Sequence, residues 1–527
     1  MREEVVMNEK EVELVGLLEK VVAHYKLEVN LRIAGGWVRD KLLGKDSEDV
    51  DISIDTMTGK QFGDYIVQYY KLTDPQKDQL SLNIIKTNPD QSKHLETAVL
   101  NLCGIELNVN NLRTETYAQH SRIPLVRVAA SPEEDAQRRD FTINTLFYNL
   151  RTREVEDWTG KGVEDLRKGT IRTPIDPEVT LLEDPLRALR AIRFAGLVNE
   201  NVEGGPQAGS IFEEKLRETL KLKEIHVALH NKVSRERISK EIEKMVHLRN
   251  ATLAFYFLKE FGLFPVVFGN SAFQWKESEV QLASQIIDKI FKKVLPLSLP
   301  YFERLGYELS SDLKTSLLMS AIVYPFVSHT LTQDSRLSLH DSHNIGKFIK
   351  RDMRMSNLKD HWTKRIIEYS IAFQNLHNYY SSKSDKNISE AFWENLHPLC
   401  DWLLDVHNPV WISIIFLAVV HAEQHNQHQD YYSSHTNFIN AVFKDNLQMI
   451  WTIPPVLNGD ELVELFKEGP LIGEAKRIVL DWQIGKIQEM FYHQKTFLPE
   501  LFMPESLKQE AKNTITNWHQ NKINQSS

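Results

Sequence analysis

A Gly-Gly turn followed by acidic residues alternating with apolar ones, LRIAGGWVRDKLLGKDSEDVDISID over residues 31–55, dictates the local architecture around which the chain must fold. The pattern predicts a strand, a glycine turn, a short helix and a second strand from Asp49 to Ile54. Side chains alternate faces along a strand, so Asp49, Asp51 and Ser53 share one face while Val50, Ile52 and Ile54 bury the other. Two carboxylates brought to one spot repel unless a cation lies between them. Oxygen donors of this kind suit Mg²⁺, which keeps waters and substrate phosphate oxygens in its shell. Gly35 and Gly36 supply the complementary feature, because no side chain blocks a phosphate there and the N–H groups at the helix start point at the anion. Arg39, in the first helical turn, adds a charged fork. Taken singly, a Gly-Gly pair is usually a turn and a D-x-D an ordinary acidic strand. Together they describe the two halves of a phosphoryl-transfer site.

The 527 residues are enough for three or more structural units. A net charge of -9 excludes a generally basic nucleic-acid wrapper, so any RNA contact must be a local patch. With only Cys103 and Cys400 there is no disulfide framework and no zinc knuckle, and a reducing compartment is expected. The N-terminus, MREEVVMNEKEVEL, is acidic, unlike a transit or signal peptide, and Met7 offers a second start. The longest apolar run, Pro409 to Val420, is too short to cross a bilayer, so a soluble protein without a membrane partner is expected.

Val12, Val15, Leu18 and Val22 predict a helix over 9–25 packed on the sheet, and Asp55 is placed to cap a helix over 58–70. The polar segment 73–93 reads as a mobile loop between strands, with further strands over 104–113 and 124–129. A helix is expected from Pro132 to Asn149, with Glu133, Glu134 and Asp135 favouring its dipole, and another from Asp184. Beyond that, helical periods dominate, with loops at 203–210 and 381–389 and no internal repeat.

Three further constellations carry chemistry. In D-A-Q-R-R-D-F-T-I-N, Asp140 and Asn144 would share a helix face with Arg139 turned about 100° away. In E-D-P-L-R-A-L-R-A-I-R-F-A, Asp184 before Pro185 is a good N-cap, and Arg187, Arg190 and Arg193 could be a solvated face. An Asp acceptor beside an Arg donor could instead meet the edge of a base. Cytosine and adenine present an amino donor beside a ring-nitrogen acceptor, whereas guanine and uracil present the reverse and would leave buried groups unpaired. In S-R-E-R-I-S-K-E, Glu236 with Lys240 and Arg237 with Glu241 form i to i+4 pairs, which suggests a buttressing helix outside the active site. His421 and His425 share a face in H-A-E-Q-H, but the order is not the H-E-x-x-H of zinc proteases and reads as an ordinary polar helix.

G-G-x-V-R-D-x-L-L-G followed by D-x-D resembles the first motif of the nucleotidyltransferase superfamily that holds DNA polymerase β. It is more similar to the class II branch, which contains tRNA nucleotidyltransferases and bacterial poly(A) polymerases. R-R-D-F-T-x-N at 138–144, E-D-x-x-R at 183–187 and S-R-E-R at 234–237 resemble later motifs of that branch, and K-H-L-E-T-A at 93–98 looks most like its fungal members. L-N-G-D-E-L (457–462) and G-P-L-I-G-E-A (469–475) resemble the family's tail, which holds the tRNA elbow.

The resemblance implies an α+β fold: a polymerase-β-like head with a small mixed sheet over 1–150, then an all-α neck (151–250), body (251–450) and tRNA-binding tail (451–527). It implies template-independent addition of CCA to tRNA from CTP and ATP, with Mg²⁺ at the catalytic Asp49 and Asp51. Gly35, Gly36, Arg39 and Asp40 would bind the nucleotide, Arg139 its triphosphate, and Asp140 with Asn144 its sugar. Asp184 and Arg187 would read the base, and Arg190 and Arg193 would contact phosphate or the primer end. The expected partners are tRNA, CTP and ATP, the expected state a monomer, and the expected location cytoplasm and nucleus with a mitochondrial copy. One departure stands out: the third acid of the family pattern is Asn108 here, with Glu106 two residues earlier on the same strand face. Addition of CC or A alone, poly(A) synthesis and an inactive RNA-binding scaffold remain alternative readings.

Overall fold

The computed structural model describes residues 4–47, 49–73, 83–85, 97–117, 124–128, 131–201, 211–270, 272–304, 308–327, 337–381, 440, 456–466 and 505–526, with scattered helical positions between 471 and 489. Two compact units emerge, Met1–Gln274 and Trp275–Ser527.

The first unit is built on β1 (Leu31–Ala34), β2 (Asp49–Ile54), β3 (Asn83–Ile85), β4 (Thr97–Leu102), β5 (Ile105–Asn111), β6 (Arg113–Tyr117), β7 (Pro124–Val128), β8 (Phe147–Asn149) and β9 (Glu154–Glu156). Seven strands form one mixed sheet in the order β3-β4-β5-β2-β1-β8-β9, and β6 pairs with β7 in a separate ribbon. β2 lies at the centre, antiparallel to β1 and parallel to β5, with Asp49 opposite Glu106 and Asp51 opposite Asn108. Val50, Ile52 and Ile54 are buried and both aspartates are exposed, as period-two alternation requires. Ser53 departs from its expected face-mates and is buried, opposite Arg32 of β1.

Helix α1 (Glu9–His24) begins with a reciprocal cap between Asn8 and Glu11. Its buried stripe is Leu14, Leu18 and Val21 with Val15, whereas Val12 is 58% exposed; the expected stripe was rotated, because 14-18-21 keeps the i, i+4, i+7 spacing. Helix α2 (Gly36–Leu42) follows the glycine turn. Its Lys41 is buried and pairs with Glu11 of α1 and with Asp46 of the segment leading into β2, each at 2.7 Å, while Trp37 Nε1 donates to Glu11 at 2.8 Å. Burial works against the Lys41 charge, but the hydrogen bonds to Asp46 and Glu11 win and raise its pKa. Removing one member of such a cluster strands a buried charge. Lys41→Met is therefore expected to lower stability by about 3–5 kcal/mol, read as a fall in the urea midpoint.

Helix α3 (Gly59–Thr73) is capped by Thr58 and Gln61, not by Asp55, which accepts the Asn30 backbone and side-chain N–H groups at 3.0 and 2.7 Å. A Cβ at Gly59 would lie 2.2 Å from the Val109 carbonyl oxygen, so only glycine lets α3 start this close to β5. Within the expected loop 73–93, Thr73 ends α3 and Asn83–Ile85 forms a strand, and β4 was not anticipated; residues 74–82 and 86–96 lie outside the described residues. The expected helix 132–149 breaks into α4 (Pro132–Gln137), a 3-10 turn (Thr142–Asn144) and β8. Residues 140–150 are all buried, which leaves no polar face for a surface helix, and the Thr142 N–H is taken by the Arg172 carbonyl instead.

The unit continues with α5 (Gly162–Lys168), α6 (Pro177–Glu183), α7 (Leu186–Val198), α8 (Glu214–Leu220), α9 (Lys223–Lys232), α10 (Arg235–Val246), α11 (Ala251–Glu260) and α12 (Phe264–Phe268). Helix α7 packs between α10 and α11 through Ala188, Leu189, Ala191, Ile192 and Ala195.

In the second unit the described elements are helices, and Thr315–Val323 is buried throughout. Towards the C-terminus, Phe466 of Gly459–Phe466 meets Trp518 and His519 of Glu505–Ser526. The stretch 421–430 and the loops 203–210 and 382–389 lie outside the described residues. Among the described residues no helix is long and apolar enough to cross a membrane.

Candidate active site

Gly35 has φ 70° and ψ -121°, a conformation that a side chain disfavours, and its N–H donates to the Leu146 carbonyl at 2.9 Å. A Cβ there would stand 2.9 Å from Arg139 Nη1, so a guanidinium lies directly over the bare turn. One helical turn on, Arg39 donates through Nε and Nη2 to Asp40 at 2.9 and 2.8 Å and through Nη1 to Asn144 Oδ1 at 2.6 Å. The turn, α2 and the 3-10 segment are thereby joined.

On β2, Ser47 Oγ donates to the Asp49 carboxylate at 3.3 Å. Crowding by protein atoms and then the negative charge of Asp49 raise the Asp51 pKa, against the opposing effects of Arg139, a hydrogen bond from Asn108 and Arg113. The position where a third acid was sought therefore holds a neutral donor to Asp51, and the exposed Glu106 stands beside Asp49 in register. Among the described residues no group of three or more His, Cys, Asp or Glu side chains is disposed to hold a metal ion. The two-aspartate set is nonetheless suited to a hard divalent cation. Its donors are carboxylate oxygens, its mutual repulsion is left partly uncompensated, and such a cation draws its other ligands from water and phosphate.

Asp135, expected only as a first-turn acid, is the buried anchor of the next segment. Its Oδ1 accepts from Arg138 Nε and Nη2 at 2.9 and 2.6 Å, and its Oδ2 from Arg139 Nε and Nη2 at 3.0 and 2.8 Å. Burial opposes its ionisation, but Arg139 and Arg138 overcome that and hold its pKa at about 2. Arg139, fixed in this way, also stacks 4.9 Å from the Phe147 ring. Asp140 and Asn144 do come together, with Asn144 Nδ2 donating to Asp140 at 3.0 Å, though across a turn and not along a helix. Arg190 reaches Asp140 at 2.6 Å; with Asn144 and Arg187 it outweighs burial and sets the Asp140 pKa at about 2.

Arg187 is buried and donates through Nη2 to the Arg138 carbonyl at 2.8 Å, whereas its Nη1 lies 3.9 Å from Glu183 without a hydrogen bond. Asp184 is gripped by Arg237 of α10, Nη2 to Oδ2 at 2.8 Å and Nη1 to Oδ1 at 3.3 Å. Arg193 pairs with the buried Glu241 at 2.6 Å, and Arg190 lies 3.8 Å from it. The expected pairing of Arg237 with Glu241 is thus replaced by a contact of Arg237 to Asp184, at the end of α6, and of Glu241 to Arg193 of α7, because a buried charge gains more from such a partner than from an exposed i to i+4 neighbour. Glu236 and Lys240 do pair, at 2.6 Å. Arg39, Arg190 and Arg193 all lie against the Phe194 ring, at 5.0, 5.2 and 4.1 Å from its centre. Asp135, Phe194, Arg237 and Glu241 are the members that the sequence reading missed. Their types were visible, but nothing local to them names their partners.

The Poly A polymerase head domain family matches residues 31–172. A mitochondrial CCA tRNA nucleotidyltransferase of Saccharomyces cerevisiae is 30% identical over 90% of this chain and 90% of its own length. A tRNA nucleotidyltransferase of Schizosaccharomyces pombe is 31% identical over 92% of this chain and 96% of its own. Among solved structures, the Thermotoga maritima CCA-adding enzyme complexed with tRNA aligns over 97% of this chain and 96% of its own, with a TM-score of 0.54 and 18% identity.

Proposed function

We propose, from the premise that the chain belongs to the class II CCA tRNA nucleotidyltransferases, that the site just described is where it extends tRNA. The protein is a nucleotidyltransferase that adds CCA to the 3′ end of tRNA. The terminal hydroxyl attacks the α-phosphorus of CTP or ATP, a phosphodiester bond forms and pyrophosphate leaves.

Asp49 and Asp51 would hold the divalent cation, read as Mg²⁺, which when bound would acidify the attacking hydroxyl and neutralise charge on the leaving group. Gly35 and Gly36 admit the triphosphate to the start of α2, and Arg139, held by Asp135, meets it with a fixed positive charge. Arg39 and Asp40 close that end of the pocket. Asp140 and Asn144 present oxygen and amide groups to the sugar. Arg190 and Arg193, expected on phosphate or the primer end, are engaged by Asp140 and Glu241, which favours a role in setting the sugar contact and α7. Asp184 and Arg187 read the base. The reading rests above all on Arg139, which lies over the Gly35 turn and also acts on Asp51, so that glycine turn, acidic strand and R-R-D segment converge.

The head over 1–150 carries the chemistry, the neck over 151–250 nucleotide choice, the body over 251–450 the span between, and the tail over 451–527 the tRNA. We read the protein as a monomer of cytoplasm and nucleus with a mitochondrial copy, the last because the Saccharomyces relative is mitochondrial. The test supplies a tRNA lacking its 3′ end with CTP alone, ATP alone or both. Growth by CC with CTP and by CCA with both is expected; long A tails with ATP would replace this reading by poly(A) synthesis. Arg187→Ala should cut discrimination of CTP over UTP by about tenfold or more while leaving tRNA affinity unchanged. An unaltered ratio would remove Arg187 from base reading.

A further inference from the structure

We propose that Arg237 is a specificity-determining positioning residue: its bidentate grip on Asp184 holds that carboxylate away from Arg187, so that acceptor and donor do not satisfy each other. This rests on the reading of Asp184 and Arg187 as the base-reading pair.

A carboxylate and a guanidinium three residues apart are close enough along the chain to pair with each other. Here no hydrogen bond or ion pair joins them among the described residues. Asp184 uses both oxygens on the Arg237 fork, and its Oδ1 also takes the Leu186 N–H at 3.3 Å. Arg187 sends one edge to the Arg138 carbonyl and leaves Nη1 buried without a hydrogen bond. That is a donor desolvated in advance and waiting for an acceptor, and such a group is costly unless something fills it. Asp184 Oδ2 still has a lone pair free, since an ionised carboxylate offers about four acceptor sites and the fork with the Leu186 N–H takes three.

The competition is local. Glu183 stands 3.9 Å from Arg187, and the Asp184 charge also acts on Arg190. Without the fork, Asp184 is free to turn towards these guanidinium groups, and the pair closes on itself. A closed pair has no free edge to match against cytosine or adenine and none left unsatisfied by uracil or guanine, so affinity and discrimination fall together. Arg237 suits this work because its planar two-point contact fixes the carboxylate plane, which a lysine point charge does not. Its place on α10 explains why the segment around 237 looks like a plain buttress in the sequence.

The test measures single-nucleotide addition of CTP, ATP, UTP and GTP by the full chain on tRNA lacking its 3′ end, for Arg237→Gln, Arg237→Lys and Arg187→Ala. Arg237→Gln is expected to raise KM for CTP and ATP and to reduce the CTP to UTP ratio of kcat/KM by about tenfold or more, with KM for tRNA unchanged. Arg237→Lys, which keeps the charge but not the fork, should fall between wild type and Arg237→Gln, and it carries the test alone if Arg237→Gln does not fold. A merely structural role would lower kcat for all four nucleotides alike and keep the ratio. If Arg187→Ala changes the ratio and neither Arg237 variant does, the positioning role is wrong and the base-reading pair survives. If none of the three changes it, the pair itself is wrong.

Discussion

Asp51→Asn should reduce nucleotide addition by about three orders of magnitude or more, because one of two carboxylates that would hold the divalent ion loses its charge. tRNA binding should be retained, since the contacts to tRNA are assigned elsewhere in the chain. The same change should not destabilise the fold. The Asp51 pKa is raised in the folded protein by crowding and by Asp49, so the folded state holds that proton more tightly than the unfolded one. Its contribution to stability is fully present below the ordinary carboxylate pKa and is lost as pH rises through the raised folded value. At neutral pH the ionised Asp51 therefore costs stability, and the amide should leave the melting temperature equal or higher. An active Asp51→Asn protein would end the metal-site assignment. An inactive one that has also lost tRNA binding would show general damage instead.

Asp135→Ala should have the largest effect on folding. It removes the carboxylate shared by Arg138, Arg139 and the Arg113 N–H in a place where Asp135 is only 1% exposed, so both guanidinium groups lose their anionic partner Asp135 together. A loss of about 3–5 kcal/mol is expected from denaturant unfolding. Because Arg139 then lifts off the Gly35 turn, KM for nucleotide should rise even where the fold is rescued by low temperature. Stability within about 0.5 kcal/mol of wild type would contradict the anchor role. The pH signature is distinctive. Asp135 and Asp140 both have pKa values lowered from 3.8 to about 2, so each contributes stability that is present above the ordinary carboxylate value and lost as pH falls towards 2. Each is worth about 2 kcal/mol by linkage, and Asp135→Ala should make the acid limb of the stability curve shallower.

The features legible in the residues alone are those whose cause is local. A glycine pair that must turn and an acidic strand whose alternation puts Asp49 and Asp51 on one face depend on backbone sterics and period, and these appear as expected. The helix expected from Asp184 begins at Leu186 instead, with Pro185 at its N-cap and Asp184 ending α6. Helix 132–149 was misjudged for a related reason. Its first-turn acids suggested a helix, but Asp140 and Asn144 point inward to guanidinium groups supplied from far along the chain, and Asp135 to those of Arg138 and Arg139.

Only the tertiary structure decided which charge meets which. Arg237 and Glu241 make a good i to i+4 pair in the sequence, yet they serve Asp184 and Arg193 across α7, and Asn108 meets Asp51 only because β5 runs parallel to β2 in that register. The energies explain the division. A neighbouring pair on a helix surface is worth a few tenths of a kcal/mol, whereas leaving a buried charge unpartnered costs several, so burial, which no local stretch of residues contains, settles the pairing.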